Sequence, residues 1–154
     1  RQSNTDNDKQ LKEIFQGLIE CGEKIIFPIH PRTKNKLKEI NYWEKLQNKN
    51  IEFIEPISYK KGLAIIKNAK KVVTDSGGVL REAYYFKKAC VVIRNSIEFK
   101  GAITNGEAIL TPAKKERIIY NINNFEGKGE FPIFFGNGKT CENIINILKK
   151  EHIK

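Results

Sequence analysis

The sequence predicts an α/β fold built on a mostly parallel sheet, and three observations lead to this. Five apolar runs begin near positions 24, 51, 71, 89 and 108. Segments with apolar residues at helical spacing fill the gaps between them. The first run is continuous rather than alternating, which is typical of a strand covered on both faces. Successive βαβ units explain all three features, so we expect a Rossmann-like three-layer αβα domain with about five to six strands.

The first units can be placed from their flanking residues. Residues 11–19 have one apolar face, with Asp6 or Asn7 as the expected helix cap and Gly22 as the stop. Residues 24–29 (KIIFPI) predict a buried parallel strand. A polar helix over 33–47 follows, and then a strand over 51–56.

The later units repeat this order. Helices are predicted over 60–69, 79–86 and 113–123, and strands over 71–75, 89–94 and 108–111. A Gly-, Lys- and Glu-rich stretch follows, before a last amphipathic helix from about residue 139. That helix ends the domain or crosses to a neighbour.

Length and composition limit the possible classes of protein. The 154 residues, 40% of them hydrophobic, correspond to one domain with a real core, which we place at residues 1–154. No apolar stretch is long enough for a membrane span and no signal peptide is recognisable, so a cytoplasmic location without membrane contact is expected. The three cysteines, without C-x-x-C spacing, favour reduced thiols over a disulfide framework or a zinc site. The absence of methionine suggests a piece of a longer protein.

The formal charge of +10 is scattered along the chain in lysine pairs. No recognition module or interleaved aromatic residues accompany it, so a solvated helix surface is favoured over nucleic-acid binding. A net positive field would still attract an anionic nucleotide.

Chemistry is expected where strands of a parallel sheet end and helices begin. The run KVVTD-SGG-VLREA ends a strand at Asp75 and opens a helix with Ser76, Gly77 and Gly78. Two glycines allow a ligand close to the backbone and the serine adds a hydroxyl, which suits a phosphate or diphosphate. An ordinary capped turn between strand and helix is the alternative.

Three further positions follow the same logic. Glu82 lies about 9 Å beyond Ser76 if the segment is helical, within reach of a ribose, although an acid there could merely complement the helix dipole. His30, with Arg32, follows the first strand and could contact a phosphate, or be a loop histidine beside a solvated charge. Ile57 and Tyr59 follow the second strand and could hold a base, or Tyr59 could simply open the next helix.

Six segments in order carry a family resemblance: RQSNTDN at Arg1, FPIHPRT, EPISY, TDSGGVLREA, VVIR and FGNGK. Together they resemble the C-terminal domain of the non-hydrolysing UDP-N-acetylglucosamine 2-epimerases, over essentially all 154 residues. The resemblance implies the C-terminal half of a GT-B fold. It also implies an isomerase that interconverts UDP-GlcNAc and UDP-ManNAc, or a related UDP-hexosamine, for cell-surface polysaccharide synthesis. The reaction would proceed by anti-elimination and re-addition of UDP.

The resemblance also assigns roles to residues. It implies a diphosphate cradle at Ser76, Gly77 and Gly78, a ribose-binding acid at Glu82, and a uracil site at Ile57 to Tyr59. Arg1 would correspond to the arginine of an H-R-x-E-N motif and His30 to a cleft-lining histidine, whereas no catalytic residue is expected in this chain.

The implied ligand is UDP or a UDP-sugar, with no metal and no other cofactor. The implied partners are the enzyme's N-terminal domain and, in the full-length protein, a second subunit of a homodimer, with no nucleic acid and no membrane. The isolated domain is expected to be inactive.

The sequence departs from the family pattern at two motifs. Ser3 replaces the acid of H-R-x-E-N, and IEFKGAI keeps Glu98 but replaces the later residues of an acid-rich T-E-R-P-E loop. Two alternatives therefore stay open. One is a GT-B glycosyltransferase or hydrolysing epimerase, and the other is a basic α/β binding module without enzymatic activity.

Overall fold

The computed structural model describes residues 2–47, 49–134 and 136–151. Its strands are β1 (Ile25–Pro28), β2 (Ile51–Ile54), β3 (Val72–Thr74), β4 (Cys90–Ile93) and β5 (Ala108–Thr111). Its α-helices are α1 (Gln2–Thr5), α2 (Asp8–Glu20), α3 (Pro31–Glu39), α4 (Tyr59–Asn68), α5 (Gly77–Tyr85), α6 (Lys100–Thr104), α7 (Lys115–Asn124) and α8 (Thr140–Glu151). All five predicted strands are confirmed, while the short helices α1 and α6 were not foreseen.

Every strand pair in the described residues is parallel, which confirms the α/β class. β1 pairs with β2, and β3, β4 and β5 form a three-stranded sheet in sequence order. The five strands are thus divided between two sheets. β1 and β3 both line a cavity that lies between these sheets.

Two hydrophobic clusters cover opposite faces of the strands. One contains Leu11 and Phe15 of α2 with Ile118 of α7, and the other contains Leu80 of α5 with Ala102 of α6. Neighbouring strand residues alternate between the clusters. Val72 and Val92 belong to the second cluster, and the residues that follow them, Val73 and Ile93, belong to the first. Helices therefore lie on both faces, giving the three predicted layers.

Helix α2, the first one predicted, begins and ends as the sequence predicts. Asn7 caps α2, its side-chain oxygen accepting a hydrogen bond from the Gln10 amide at 3.0 Å. Gly22 has a φ of 77°, a left-handed conformation that favours glycine after a helix.

The single helix predicted over 33–47 is wrong. α3 ends at Glu39, and a 3-10 helix, Trp43–Leu46, follows. Between them Asn41 has a φ of 52°, which a right-handed helix cannot accommodate and which asparagine tolerates better than most residues. The break lets both Leu37 and Leu46 be fully buried.

The prediction that residues 24–29 form a strand covered on both faces is also wrong in part. β1 is parallel, but its residues alternate between half-buried and exposed, and Ile26 is 51% exposed. One face packs on the first cluster through Ile25 and Phe27. The other face, with Ile26 and Pro28, is exposed.

α8 forms close to its predicted start, with an exposed apolar side. Ile144, Ile145, Ile147 and Leu148 are each 50–59% exposed. Among the described residues, no helix combines the length and apolar character that crossing a membrane requires.

The three cysteines are free, as expected. Cys21 and Cys90 are buried and Cys141 is exposed on α8. Burial raises the pKa of the Cys90 thiol to about 12, so this side chain behaves as a small core residue.

The contact between α2 and α7 depends on Gly17. A Cβ atom at this position would lie 2.8 Å from both Cβ and Cγ2 of Ile118. We expect Gly17→Ala to destabilise the protein by about 1–3 kcal/mol through overpacking, more than the roughly 1 kcal/mol that alanine gains over glycine in a helix. Urea unfolding followed by circular dichroism measures this as a lower midpoint.

Gly62 of α4 supplies the matched control. A Cβ atom there would be 4.0 Å from Cδ1 of Ile57, which is an ordinary contact. Gly62→Ala should therefore raise stability by about 0.5–1 kcal/mol. A rise in both variants would contradict the close packing of α2 on α7.

Candidate functional site

The candidate site is the cavity between β1 and β3, with a volume of about 1020 Å³. It is lined by residues that follow three different strands. His30 follows β1, Ile57 and Tyr59 follow β2, and Glu82 belongs to the helix after β3. The structure thus brings together four of the residues singled out in the sequence, while Arg1 lies outside the described residues.

The Ser76 turn adjoins this cavity. Asp75 and Val79 line the cavity, whereas Ser76, Gly77 and Gly78 are not among its lining residues. The predicted turn is nonetheless a helix start, because α5 begins at Gly77 and Ser76 is its N-cap. The Ser76 hydroxyl oxygen accepts a hydrogen bond from the Val79 amide at 3.4 Å, and the Ser76 amide donates to the Thr74 hydroxyl at 3.0 Å.

This geometry suits an anion. The first N–H groups of an α-helix have no acceptor within the helix, and the helix dipole adds positive charge there. The capped turn and the anion site are therefore compatible readings of the same residues. In the described ranges, no group of three or more His, Cys, Asp or Glu side chains is placed to hold a metal ion.

An ion pair that the sequence analysis missed stands beside the Ser76 turn. Arg94, the residue after β4, donates to Glu98 through both Nη atoms, at 3.1 and 2.8 Å. The arginine side chain is 6% exposed and the glutamate side chain 61%. The hydrogen bonds from Arg94 to Glu98 raise the pKa of Arg94 and outweigh the opposing effect of burial. Its position after a parallel strand was the signal that could have identified it.

The short helix α1 is fixed to the same edge by one side chain. The Asn4 amide donates to the carboxylate of Asp75 and to the carbonyl of Ile93, both at 3.1 Å. These acceptors follow β3 and end β4 respectively. Asn4, which also lines the cavity, therefore joins the N-terminal segment to the strand ends.

His30 is exposed and acts as the N-cap of α3. Its Nδ1 accepts a hydrogen bond from the Arg32 amide at 3.2 Å, so the neutral ring carries its proton on Nε2. That N–H is a donor suited to a ligand oxygen.

Arg32 does not line this cavity but pairs with Asp6 at 2.5 Å. Partial desolvation opposes ionisation of Asp6, yet hydrogen bonds from Arg32 and Gln2 and the charges of Arg32 and Lys36 outweigh it. The pKa of Asp6 consequently lies below its usual value.

Tyr59 and Glu82 face solvent to different degrees. Tyr59 is 68% exposed and is the first residue of α4, which confirms that it opens this helix, while its contact with a base stays a prediction. Glu82 is half-buried within α5.

A cluster of aromatic rings, also unforeseen, fixes the segment before α8. Tyr84 contacts Phe99, Phe131 and Phe134, with ring centroids 5.2–5.6 Å apart. Its hydroxyl donates to the Pro132 carbonyl at 2.9 Å. Burial first, and the Glu107 charge second, raise the pKa of the Tyr84 hydroxyl.

Glu107 fixes the start of the same segment, at residues 128–130. It is 1% exposed, and its Oε1 accepts hydrogen bonds from the amides of Lys128 and Glu130 at 3.1 and 2.8 Å. Gly127 makes this possible, because a Cβ atom there would lie 2.7 Å from the second oxygen of Glu107.

Comparison with known proteins matches residues 1–149 to the UDP-N-acetylglucosamine 2-epimerase family. UDP-N-acetylglucosamine 2-epimerase from Methanocaldococcus jannaschii is 42% identical over 154 residues, which cover 96% of this chain and 42% of that protein. A UDP-N-acetylglucosamine 2-epimerase homolog from Methanococcus maripaludis is 40% identical over 151 residues, with coverage of 97% and 42%.

Among solved structures, the crystal structure of Methanocaldococcus jannaschii UDP-GlcNAc 2-epimerase in complex with UDP-GlcNAc and UDP has a TM-score of 0.88 to this chain. The two are 40% identical, and the match covers 97% of this chain and 43% of the other. The chain thus spans less than half the length of these relatives.

Tyr84 offers a direct test of how the aromatic cluster is held. Tyr84→Phe removes the hydrogen bond to Pro132 while keeping the ring, so we expect a loss of about 0.5–1.5 kcal/mol in stability. Tyr85→Phe is the control because the Tyr85 side chain is 76% exposed. Urea unfolding should separate the two variants, and equal midpoints would show that the Tyr84 hydroxyl contributes nothing.

Proposed function

The chain belongs to the UDP-N-acetylglucosamine 2-epimerase family, and on this basis we propose that it is the UDP-binding domain of such an enzyme. In this proposal residues 1–154 form a single domain that works with an N-terminal domain of the same protein. The complete enzyme interconverts UDP-GlcNAc and UDP-ManNAc, or a related UDP-hexosamine, in the cytoplasm. It does so as a homodimer and without hydrolysing the nucleotide sugar.

One observation carries the proposal: a single cavity collects residues from the carboxyl ends of three parallel strands, beside the N-terminus of α5. Its volume of about 1020 Å³ is at the upper end of the usual range for small-molecule sites. Each part of UDP finds suitable groups in the cavity or in the Ser76 turn beside it. The diphosphate faces the amides of Gly77 and Gly78 with the Ser76 hydroxyl, the ribose hydroxyls bond to Glu82, and the uracil lies against Ile57 and Tyr59.

These residues would act on the leaving group of the reaction. Elimination of UDP places negative charge on the diphosphate, and pre-oriented N–H donors at a helix start stabilise such charge without rearrangement. The Nε2–H of His30 adds a donor at the cavity, and the family resemblance assigns a further donor to Arg1. UDP then stays bound until it is added back to C1 of the sugar, while a proton returns to C2 from the face opposite to the one it left.

Proton transfer at C2 of the sugar needs groups that the family resemblance locates in the N-terminal domain. General acid–base catalysis requires such a group within hydrogen-bonding reach of the moving proton. The isolated chain should therefore bind UDP and turn nothing over.

Calorimetric titration of the chain with UDP tests the proposal. We expect saturable binding of UDP, weaker binding of UMP because it lacks the second phosphate, and weaker binding of ADP because the base differs. Equal affinity for UDP and ADP would contradict a uracil site at Ile57 and Tyr59. Absence of UDP binding would contradict the proposed domain function.

Glu82 provides a sharper test within the site. Removing a carboxylate that accepts hydrogen bonds costs about 1.5–3 kcal/mol, so Glu82→Ala should weaken UDP binding roughly 10- to 150-fold. With 2′-deoxy-UDP the penalty should shrink, because one partner of the carboxylate is already missing.

The control for this test is Glu116→Ala, which removes an exposed acid from the first turn of α7. It should leave UDP affinity unchanged. An equal penalty for Glu82→Ala with UDP and 2′-deoxy-UDP would contradict a contact between this carboxylate and the 2′-hydroxyl.

A further inference from the structure

The ion pair of Arg94 and Glu98 lies directly over the start of α5. A Cβ atom on Gly77 would be 3.5 Å from Oε2 of Glu98 and 3.7 Å from Nη1 of Arg94. Arg81 is close as well, with its Nη1 at 3.9 Å from the same point. A carboxylate thus stands where two guanidinium groups and a helix N-terminus converge.

The two members of the pair differ in burial. The Arg94 side chain is only 6% exposed, and its Nε is buried without a hydrogen-bond partner among the described residues. The Glu98 side chain is 61% exposed. Arg94 is therefore shielded from water, whereas the Glu98 carboxylate is accessible to it.

Carboxylates and phosphates use the same contacts. Both accept paired hydrogen bonds from a guanidinium, and both are stabilised by the free N–H groups of a helix start. A diphosphate next to Glu98 would be repelled by the carboxylate charge. The two anions therefore compete for one position.

Resting on the proposed UDP-binding function, we propose that Glu98 is a built-in anion at the diphosphate position, and that Arg94 exchanges Glu98 for the diphosphate when UDP binds. Glu98 then lowers the affinity for UDP, which favours release of the nucleotide. Arg94 becomes a diphosphate-binding residue, together with the amides of Gly77 and Gly78.

The test is calorimetric titration of the chain and of Glu98→Gln with UDP, inorganic pyrophosphate and uridine. Glutamine keeps the size of the side chain and removes its charge. We expect Glu98→Gln to bind UDP and pyrophosphate about tenfold more tightly and uridine unchanged. Glu116→Gln changes the net charge equally at an exposed position away from the site and should alter none of the affinities.

Arg94→Lys completes the cycle. It keeps the charge but loses the paired donors, so the gain from Glu98→Gln should disappear in the double variant. Because Arg94 is buried, thermal unfolding must show that the Arg94→Lys variant is folded. If Arg94→Lys does not fold, Glu98→Gln still tests the proposal, because Glu98 is exposed. Unchanged or weaker binding of UDP and pyrophosphate by Glu98→Gln would overturn the exchange.

The outcomes separate this inference from the proposed function. If the chain binds UDP but Glu98→Gln gains nothing, the exchange is wrong and the nucleotide site stands. If pyrophosphate binds and responds to Glu98→Gln but UDP is bound no better than pyrophosphate, the anion exchange stands and the UDP-binding function is wrong. Failure of every variant to bind either compound overturns both.

Discussion

Parallel pairing of the strands is the constraint on which the rest of the structure depends. In a parallel sheet every carboxyl end lies at one edge, and each strand must be followed by a crossover helix that starts at that edge. Three helix N-termini follow the first three strands in this way, with His30, Ser58 and Ser76 at their N-cap positions. Their free amides and dipoles give one edge of the domain a positive character without requiring clustered lysines.

The division of the strands into two sheets leaves a cavity at this edge. β1 and β3 are separated by the cavity, so residues along both strands line it. Ile26 of β1, which is 51% exposed, is among these residues. An apolar wall on one side and helix starts at one end are what a nucleotide needs, since it has an aromatic base and a charged diphosphate.

Local patterns predicted much of this fold because the strands and the Ser76 turn depend on neighbouring residues. The glycine pair after Ser76 indicated a helix start, which the structure places at Gly77. The prediction of one unbroken helix over 33–47 was wrong because a single left-handed residue, Asn41, interrupts it. The spacing of apolar residues carries no information about one dihedral angle.

The contacts between distant segments were beyond the reach of sequence patterns. Asn4 bonds to Ile93, 89 residues away, and Tyr84 bonds to Pro132, 48 residues away. Arg94 and Glu98 are close in sequence, but the role proposed for their ion pair depends on its position beside Gly77, which only the fold determines. Whether these side chains meet is decided by tertiary packing, so the candidate residues were identified individually and their arrangement was not.

In the proposed function, the start of α5 receives the diphosphate of a uridine nucleotide whose base lies beside α4. Nuclear magnetic resonance of the isotope-labelled chain during UDP titration tests it directly, by following each backbone amide. We expect large, saturable shifts at Gly77 and Gly78 and smaller ones at Ile57 and Tyr59. When pyrophosphate replaces UDP, only the glycine amides should shift. Shifts confined to the lysine-rich helix surfaces, with the amides of Gly77 and Gly78 unmoved, would contradict it.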